Sequence, residues 1–312
     1  MKFYKYRLSR ISLKTMTNLK NILNLIKLDL ICRLDVKEAE KYLAQNPDSS
    51  YTKRVYAKSV ISAVEASLFN LRQSALLLSE GLDLNLFGHN IAILKVENKT
   101  KFTLEEQCAL REISAKLDDS GKVSSMPIFY PFKANFNFSL NAICRQLGDA
   151  IAVTKESGWS DLCQAVNIRN RITHPRDPAL LELSDNEIGF FQRGWEWYQN
   201  LIEQVSDQLT TIIFHSIYRA DESAMSDLKM AIEKIGAEKA LMELEQLIND
   251  FRFLTEQSDD IKRIAKDNFP HEWEKSEQKI KLLVGSKKLS LLPATEELIM
   301  KQFGQPKSPG II

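Results

Sequence analysis

Residues 57–81 read AKSVISAVEASLFNLRQSALLLSEG, in which Ala57, Ile61, Val64, Leu68, Leu71, Ala75 and Leu78 recur in alternating steps of four and three before Gly81. That spacing places all seven on one stripe of a 3.6-residue helix, and a glycine just past the last of them suits a helix end. The stretch predicts an amphipathic core helix. The same period governs most of the chain. Leu140, Ile143, Cys144, Leu147 and Ile151 predict a helix ending near Gly158, and Trp159, Leu162, Cys163 and Val166 start the next. Ser184 and Glu187 form a capping-box pair ahead of Ile188, Phe191, Trp195, Tyr198, Ile202, Val205, Leu209 and Ile212. This seam covers about seven turns, and it suits a bundle core and a dimer interface equally.

Two further capping pairs stand upstream. Asp35 and Glu38 predict a short helix that ends near Asn46-Pro47, and Thr103 and Glu106 predict one that runs out at Asp118 to Gly121. Between Lys122 and Asn137, Pro127 and Pro131 break the pattern among Phe129, Tyr130, Phe132 and Phe136, which predicts an aromatic loop pinned across the helices. A platform for stacking bases is the other reading of those rings. A short hairpin or extended piece is expected around Ile91 to Val96. With only 11 glycines and 9 prolines in 312 residues and little alternation of period two, the chain reads as all-α.

Composition narrows the function classes. Hydrophobic residues make up 44% and charged residues 27%, as in a globular chain, and 42 Lys and Arg against 41 Asp and Glu leave a net charge of +1. No global basic field announces a nucleic-acid partner, so any such surface is local. The apolar run from Ile22 to Leu34 is interrupted by Lys27, Asp29 and Arg33, which argues against a membrane span or a signal core and for a cytoplasmic protein. Met16 is an alternative natural start. Cys32, Cys108, Cys144 and Cys163 lie far apart, as expected of reduced core residues rather than zinc ligands or disulfides.

Neither a phosphate-binding GxxxxGK[ST] or GxGxxG loop nor a GxSxG or HExxH hydrolase signature occurs. No cofactor and no metal centre is expected. Of the four histidines, His89, His215 and His271 read as turn or helix-end residues.

His174 is different, because it closes Arg169-Asn170-Arg171-Ile172-Thr173-His174-Pro175. The apolar stripe Trp159, Leu162, Cys163, Val166 continues in steps of three and four into Arg169, Asn170 and Thr173, so polar side chains are expected to take over the inward face. Asn170 and His174 share a face one turn apart, whereas Arg169 and His174 stand about 140° apart on an ideal helix. Pro175 disfavours α geometry at His174 and places it at a helix terminus. Arg171 and Arg176 add local positive charge.

At these residues the chain resembles the HEPN superfamily, whose signature is an Arg followed after four to six residues by His, commonly with Asn after the Arg. The resemblance covers about residues 51–218, which makes residues 1–50 a basic N-terminal segment with short helices and residues 219–312 a C-terminal helical extension with a disordered tail. It implies an up-down four-helix-bundle-like core that forms a homodimer, with motifs from both subunits lining one cleft. It further implies a metal-independent endoribonuclease of the kind that serves as a toxin or antiphage effector. In that reading His174 is the acid or base, Arg169 the phosphorane stabiliser and Asn170 an orienting group, with Glu65, Thr173 and Arg171 supporting. RNA, including tRNA, is the implied substrate, and an antitoxin or regulatory protein is a further implied partner. The alternative is a non-catalytic HEPN-like module for dimerisation or partner binding.

Overall fold

The computed structural model describes residues 2–80, 84–85, 92–94, 100–117, 119–148 and 157–215, isolated positions between 230 and 256, and residues 258–285. The chain divides into two compact units, one of residues 24–80 and 98–210, the other of residues 1–23, 81–97 and 211–312. The first unit holds the motif and reaches back past residue 51 to Asn24.

In that unit the second half of α1 (Lys2–Gln45) is followed by α2 (Ser50–Glu80), α3 (Leu104–Leu110), a hairpin of β3 (Ile113–Leu117) and β4 (Val123–Pro127), α4 (Phe132–Leu147), α5 (Ser157–Thr173), a 3-10 turn (Pro178–Leu181) and most of α6 (Asp185–His215). The described residues are mostly helical, as the spacing of apolar residues predicts. α2 buries the stripe read from its sequence: Ala57, Val64, Leu68 and Ala75 have no exposed surface, nor does Val60 beside them. Packing of α4 and α5 against it accounts for that burial.

Paired contacts fix the helix directions. Asn70 Nδ2 donates to the Leu25 carbonyl at 2.9 Å, and Thr52 Oγ1 to the Asn46 carbonyl at 2.8 Å, so α1 and α2 run antiparallel. Between α5 and α6, Gly158 meets Trp197, Asp161 pairs with Arg193 at 2.7 Å, and Arg171 pairs with Glu187 at 2.8 Å. Position falls along α6 as it rises along α5, so these two are antiparallel as well. The Lys53–Asp185 pair at 2.7 Å, with Ser67 beside the buried Tyr198, makes α6 parallel to α2.

Of the four rings expected to lie across the helices from a loop, Phe132 and Phe136 do so, from α4. Phe136 sits 4.4 Å from Trp159 and 5.9 Å from Trp197, ring centre to ring centre. These contacts tie α4, α5 and α6 together. Phe129 is left 89% exposed.

Several sequence expectations need correction. No helix starts at Asp35, because α1 is continuous from Lys2 to Gln45. Nothing in residues 2–46 is glycine or proline, and Leu30, Val36, Ala39 and Leu43 are buried along the same helix, so the Asp35–Glu38 pair finds no chain break to cap. The Thr103–Glu106 capping box is present, but its helix ends at Leu110. Glu112 turns left-handed there at φ 52, and the chain continues into β3 rather than to Gly121. The Lys122–Asn137 segment is β4 followed by α4: Pro127 closes the strand and Pro131, at φ −55, precedes the helix. α4 stops at Leu147, where Gly148 takes φ 77, and Gly158 falls inside α5. Ile151 lies outside the described residues.

In the second unit, β1 (Leu84–Asn85) pairs antiparallel with β2 (Ala92–Leu94), which matches the extended piece expected there. Residues 258–268 are helical, as is Pro270–Gly285, with Phe269 as a single break before Pro270. The boundary expected near Tyr218, the tail from Gly304 and His89 lie outside the described residues. No described helix is long and apolar enough to cross a membrane.

The α5–α6 approach depends on a missing side chain at Gly194, where an added Cβ would lie 2.9 Å from the Leu162 backbone. Helix propensity alone predicts that Gly194→Ala stabilises the protein by about 1 kcal/mol. Overpacking predicts the opposite sign, a loss of about 1–3 kcal/mol. Because the opposing atoms are backbone, the expected result is a lower urea midpoint for Gly194→Ala.

Candidate functional site

The motif occupies the last turn of α5 and the first residues after it. The expectation that polar side chains take over the inward face is met only by Arg169, which is half-buried: Ile168 and Ile172 are buried, at 8% and 2% exposed, while Asn170, Thr173 and His174 are exposed. On a helical wheel the buried arc of Leu162, Ala165, Val166, Ile168 and Ile172 is rotated away from Trp159 and Cys163, both half-buried. Asn170 therefore falls outside it, whereas Thr173 shares the angle of Leu162 and Val166 and is exposed at the last residue of the helix.

Arg169 lies inside that arc, between Ala165 and Leu162 on the wheel, and is half-buried. Its Nε is buried without a partner, and its Nη2 reaches across to the Glu65 carboxylate of α2 in an ion pair. The stem follows the apolar surface and the charged end meets a half-exposed acid. Glu65, considered from the sequence only as a supporting group, is thus the direct partner of Arg169.

Arg171 is committed elsewhere. It donates to the Glu182 carbonyl at 3.0 Å and pairs with Glu187 at 2.8 Å. Glu187 also accepts from the Ser184 amide at 3.0 Å, while the Glu187 amide donates back to Ser184 Oγ at 3.3 Å. The predicted capping box is present, and Arg171 joins it to the end of α5. Thr173 Oγ1 donates to the Arg169 carbonyl at 2.8 Å, one turn back along its own helix. Both residues are accounted for by local structure.

The His174 amide donates to the Asn170 carbonyl at 3.1 Å, closing the last helical turn before Pro175. The Asn170 and His174 side chains stand free of the core, and Arg176 beyond them is exposed. The structure therefore brings Arg169 to Glu65, exposes Asn170 and His174 at the helix end, and turns Arg171 toward α6.

A cavity of about 560 Å³ lies beside α4, lined by Glu106, Phe138, Asn141, Cys144 and Arg145 among others. A second, of about 360 Å³, lies between the ends of α1 and α6. Neither includes Arg169, Asn170 or His174. Among the described residues no group of His, Cys, Asp and Glu is arranged to hold a metal ion, and the four cysteines form no disulfide and are half-buried rather than fully in the core.

The charged node that sequence reading missed is Arg72, which is 1% exposed. It pairs with Glu112 at 2.8 Å and donates to Asn135 and Ser139 of α4. Its one sequence signal was position: Arg72 falls four residues after Leu68, on the flank of the stripe that defines α2.

No protein-family model, curated protein or solved structure matches this chain. The geometry of the site is therefore the basis for any functional reading.

Burial raises the Glu187 carboxyl, but the Ser184 amide and Arg171 outweigh it and hold the group below its usual value. A depressed carboxyl stabilises the fold above the unfolded value of about 4.3 and loses that contribution as pH falls through the folded one. Glu187→Gln is expected to melt at a lower temperature than wild type at pH 7, with the two melting curves converging toward pH 3. A gap of constant size across that range contradicts the assignment.

Proposed function

We propose that the chain is a HEPN-type, metal-independent endoribonuclease whose cleft is completed by a second copy of the same subunit. The observation that carries this reading is the end of α5: an arginine held by an acid of α2, with Asn170 and His174 exposed one turn apart. In the proposed reaction the ribose 2′-hydroxyl gives up its proton to a base and attacks the adjacent phosphorus. The 5′-oxygen then leaves and takes up a proton, so the products are a 2′,3′-cyclic phosphate and a 5′-hydroxyl. His174 serves proton transfer, and Arg169 meets the charge that develops on the phosphorane.

The Glu65 pair does not prevent this. A partly exposed ion pair contributes about 0.2–1 kcal/mol, less than the 1.5–3 kcal/mol typical of hydrogen bonds to charged groups. A phosphate can therefore share or displace Glu65. Arg169 and His174 diverge around their own helix, so a composite cleft between two copies is the arrangement that lets both reach one phosphodiester. A HEPN-like up-down core agrees with the directions of α1, α2, α5 and α6. A toxin or antiphage role, regulated by an antitoxin, is the biological setting this activity fits, and tRNA is one candidate substrate.

One observation favours the second reading, a non-catalytic dimerisation or partner-binding module: Arg169 and Arg171 both have carboxylate partners within the chain. The two readings separate in one experiment. Purified protein is incubated with labelled tRNA and total RNA in excess EDTA, alongside His174→Ala and Arg169→Ala variants matched for folding and oligomeric state. The nuclease reading expects cuts by wild type that fall at least about 100-fold in His174→Ala. No cleavage by wild type, or equal cleavage by both variants, supports the binding module instead.

A further inference from the structure

The β3–β4 arm stands on a strained joint. Glu112, between α3 and β3, has φ 52 and is the one non-glycine with positive φ among the described residues. That conformation crowds a Cβ and favours glycine. The Glu112 carboxylate lies 2.8 Å from Arg72 Nη2, a contact that a glycine at this turn would not supply.

Arg72 explains the need. Its Nη1 donates to Asn135 Oδ1 and to Ser139 Oγ, both on α4, and its Nε is buried without a partner. Burial pushes the guanidinium below its ordinary value, and Glu112 pulls it back. A buried cation without a counter-charge is strongly destabilising, and Glu112 supplies that charge from the base of the arm.

Other contacts at the base are weaker or lie within the arm. Gln73 Nε2 donates to the Leu110 carbonyl at 3.2 Å, and Arg111 pairs with Glu80 at 2.9 Å where both are partly exposed. The Ile128 amide donates to the Glu112 carbonyl at 2.8 Å and extends the hairpin itself. Beyond the joint, β4 is exposed at all five positions, and a lone two-stranded hairpin is marginal in water.

We propose that the β3–β4 arm is a latched conformational element: the Glu112–Arg72 contact clamps it to the α2–α4 pair, and breaking that contact opens the arm while the helices stay folded. The strain at Glu112 belongs to the latch, since a left-handed residue persists only where its surroundings impose it. The inference is independent of the nuclease reading.

Native-state hydrogen exchange on the full chain tests it, using Glu112→Gly and the double variant Arg72→Met/Glu112→Gly. Glycine relieves the backbone strain and removes the carboxylate. The double variant also removes the buried charge, so the bundle is not left with an uncompensated cation. The latch predicts that Glu112→Gly speeds exchange of β3 and β4 amides by about tenfold or more. In the double variant the arm remains fast while α2 and α4 amides stay as slow as in wild type. Two outcomes overturn the proposal: arm exchange that is unchanged or slower in Glu112→Gly, and arm and helix amides that accelerate together in the double variant.

Discussion

The first unit is organised by the burial of α2. Val60, Val64 and Leu68 have no exposed surface, and α1, α3, α4 and α5 each meet this helix. An apolar stripe of that length defines a core but does not choose which neighbour lies at which height, because the hydrophobic effect is not directional. Polar contacts from the same helix do choose: Asn70 to the Leu25 carbonyl, Glu65 to Arg169, Arg72 to Glu112 and Asn135. Each would leave a buried or half-buried group unpaired if the neighbour shifted by a turn, and that penalty is larger than the net gain from making the bond.

The charges around α5 are divided by this arrangement. Arg171 belongs to the α6 cap, Arg169 to α2, and only the helix end is left to solvent. Glu65 and Arg72 are seven residues apart and so lie on nearly the same face of α2. One helix therefore carries both the partner of the motif arginine and the socket of the β3–β4 arm.

Much of this was legible in the sequence because it follows from local periodicity and capping. The α2 stripe, the Thr103 and Ser184 caps, the helix end before Pro175 and the aromatic packing of Phe136 all follow from residue type and spacing. Other features were not legible, for physical reasons. Asp35–Glu38 matches a cap in composition, yet capping requires a chain break that this stretch lacks. Asn170 seemed to face inward with Arg169 because Trp159 and Cys163 suggested the wrong centre for the buried arc, which Ile168 and Ile172 set instead and which keeps Arg169 but not Asn170. The Glu112–Arg72 contact joins residues 40 apart through a left-handed turn at a glutamate, and no periodic signal reports such a turn. Glu65 was noticed for its position beside the stripe, but its pairing with Arg169 depends on the antiparallel placement of α5.

The central claim is that the exposed end of α5 serves RNA cleavage by attack of the ribose 2′-hydroxyl, and the chemistry of the product ends tests it most directly. Mass spectrometry of fragments made by the wild-type protein in excess EDTA should find 2′,3′-cyclic phosphate and 5′-hydroxyl termini, and a single 2′-deoxy substitution at the cut site should abolish that cut. Fragments with 5′-phosphate ends, cleavage that survives the 2′-deoxy substitution, or intact RNA throughout would contradict the account.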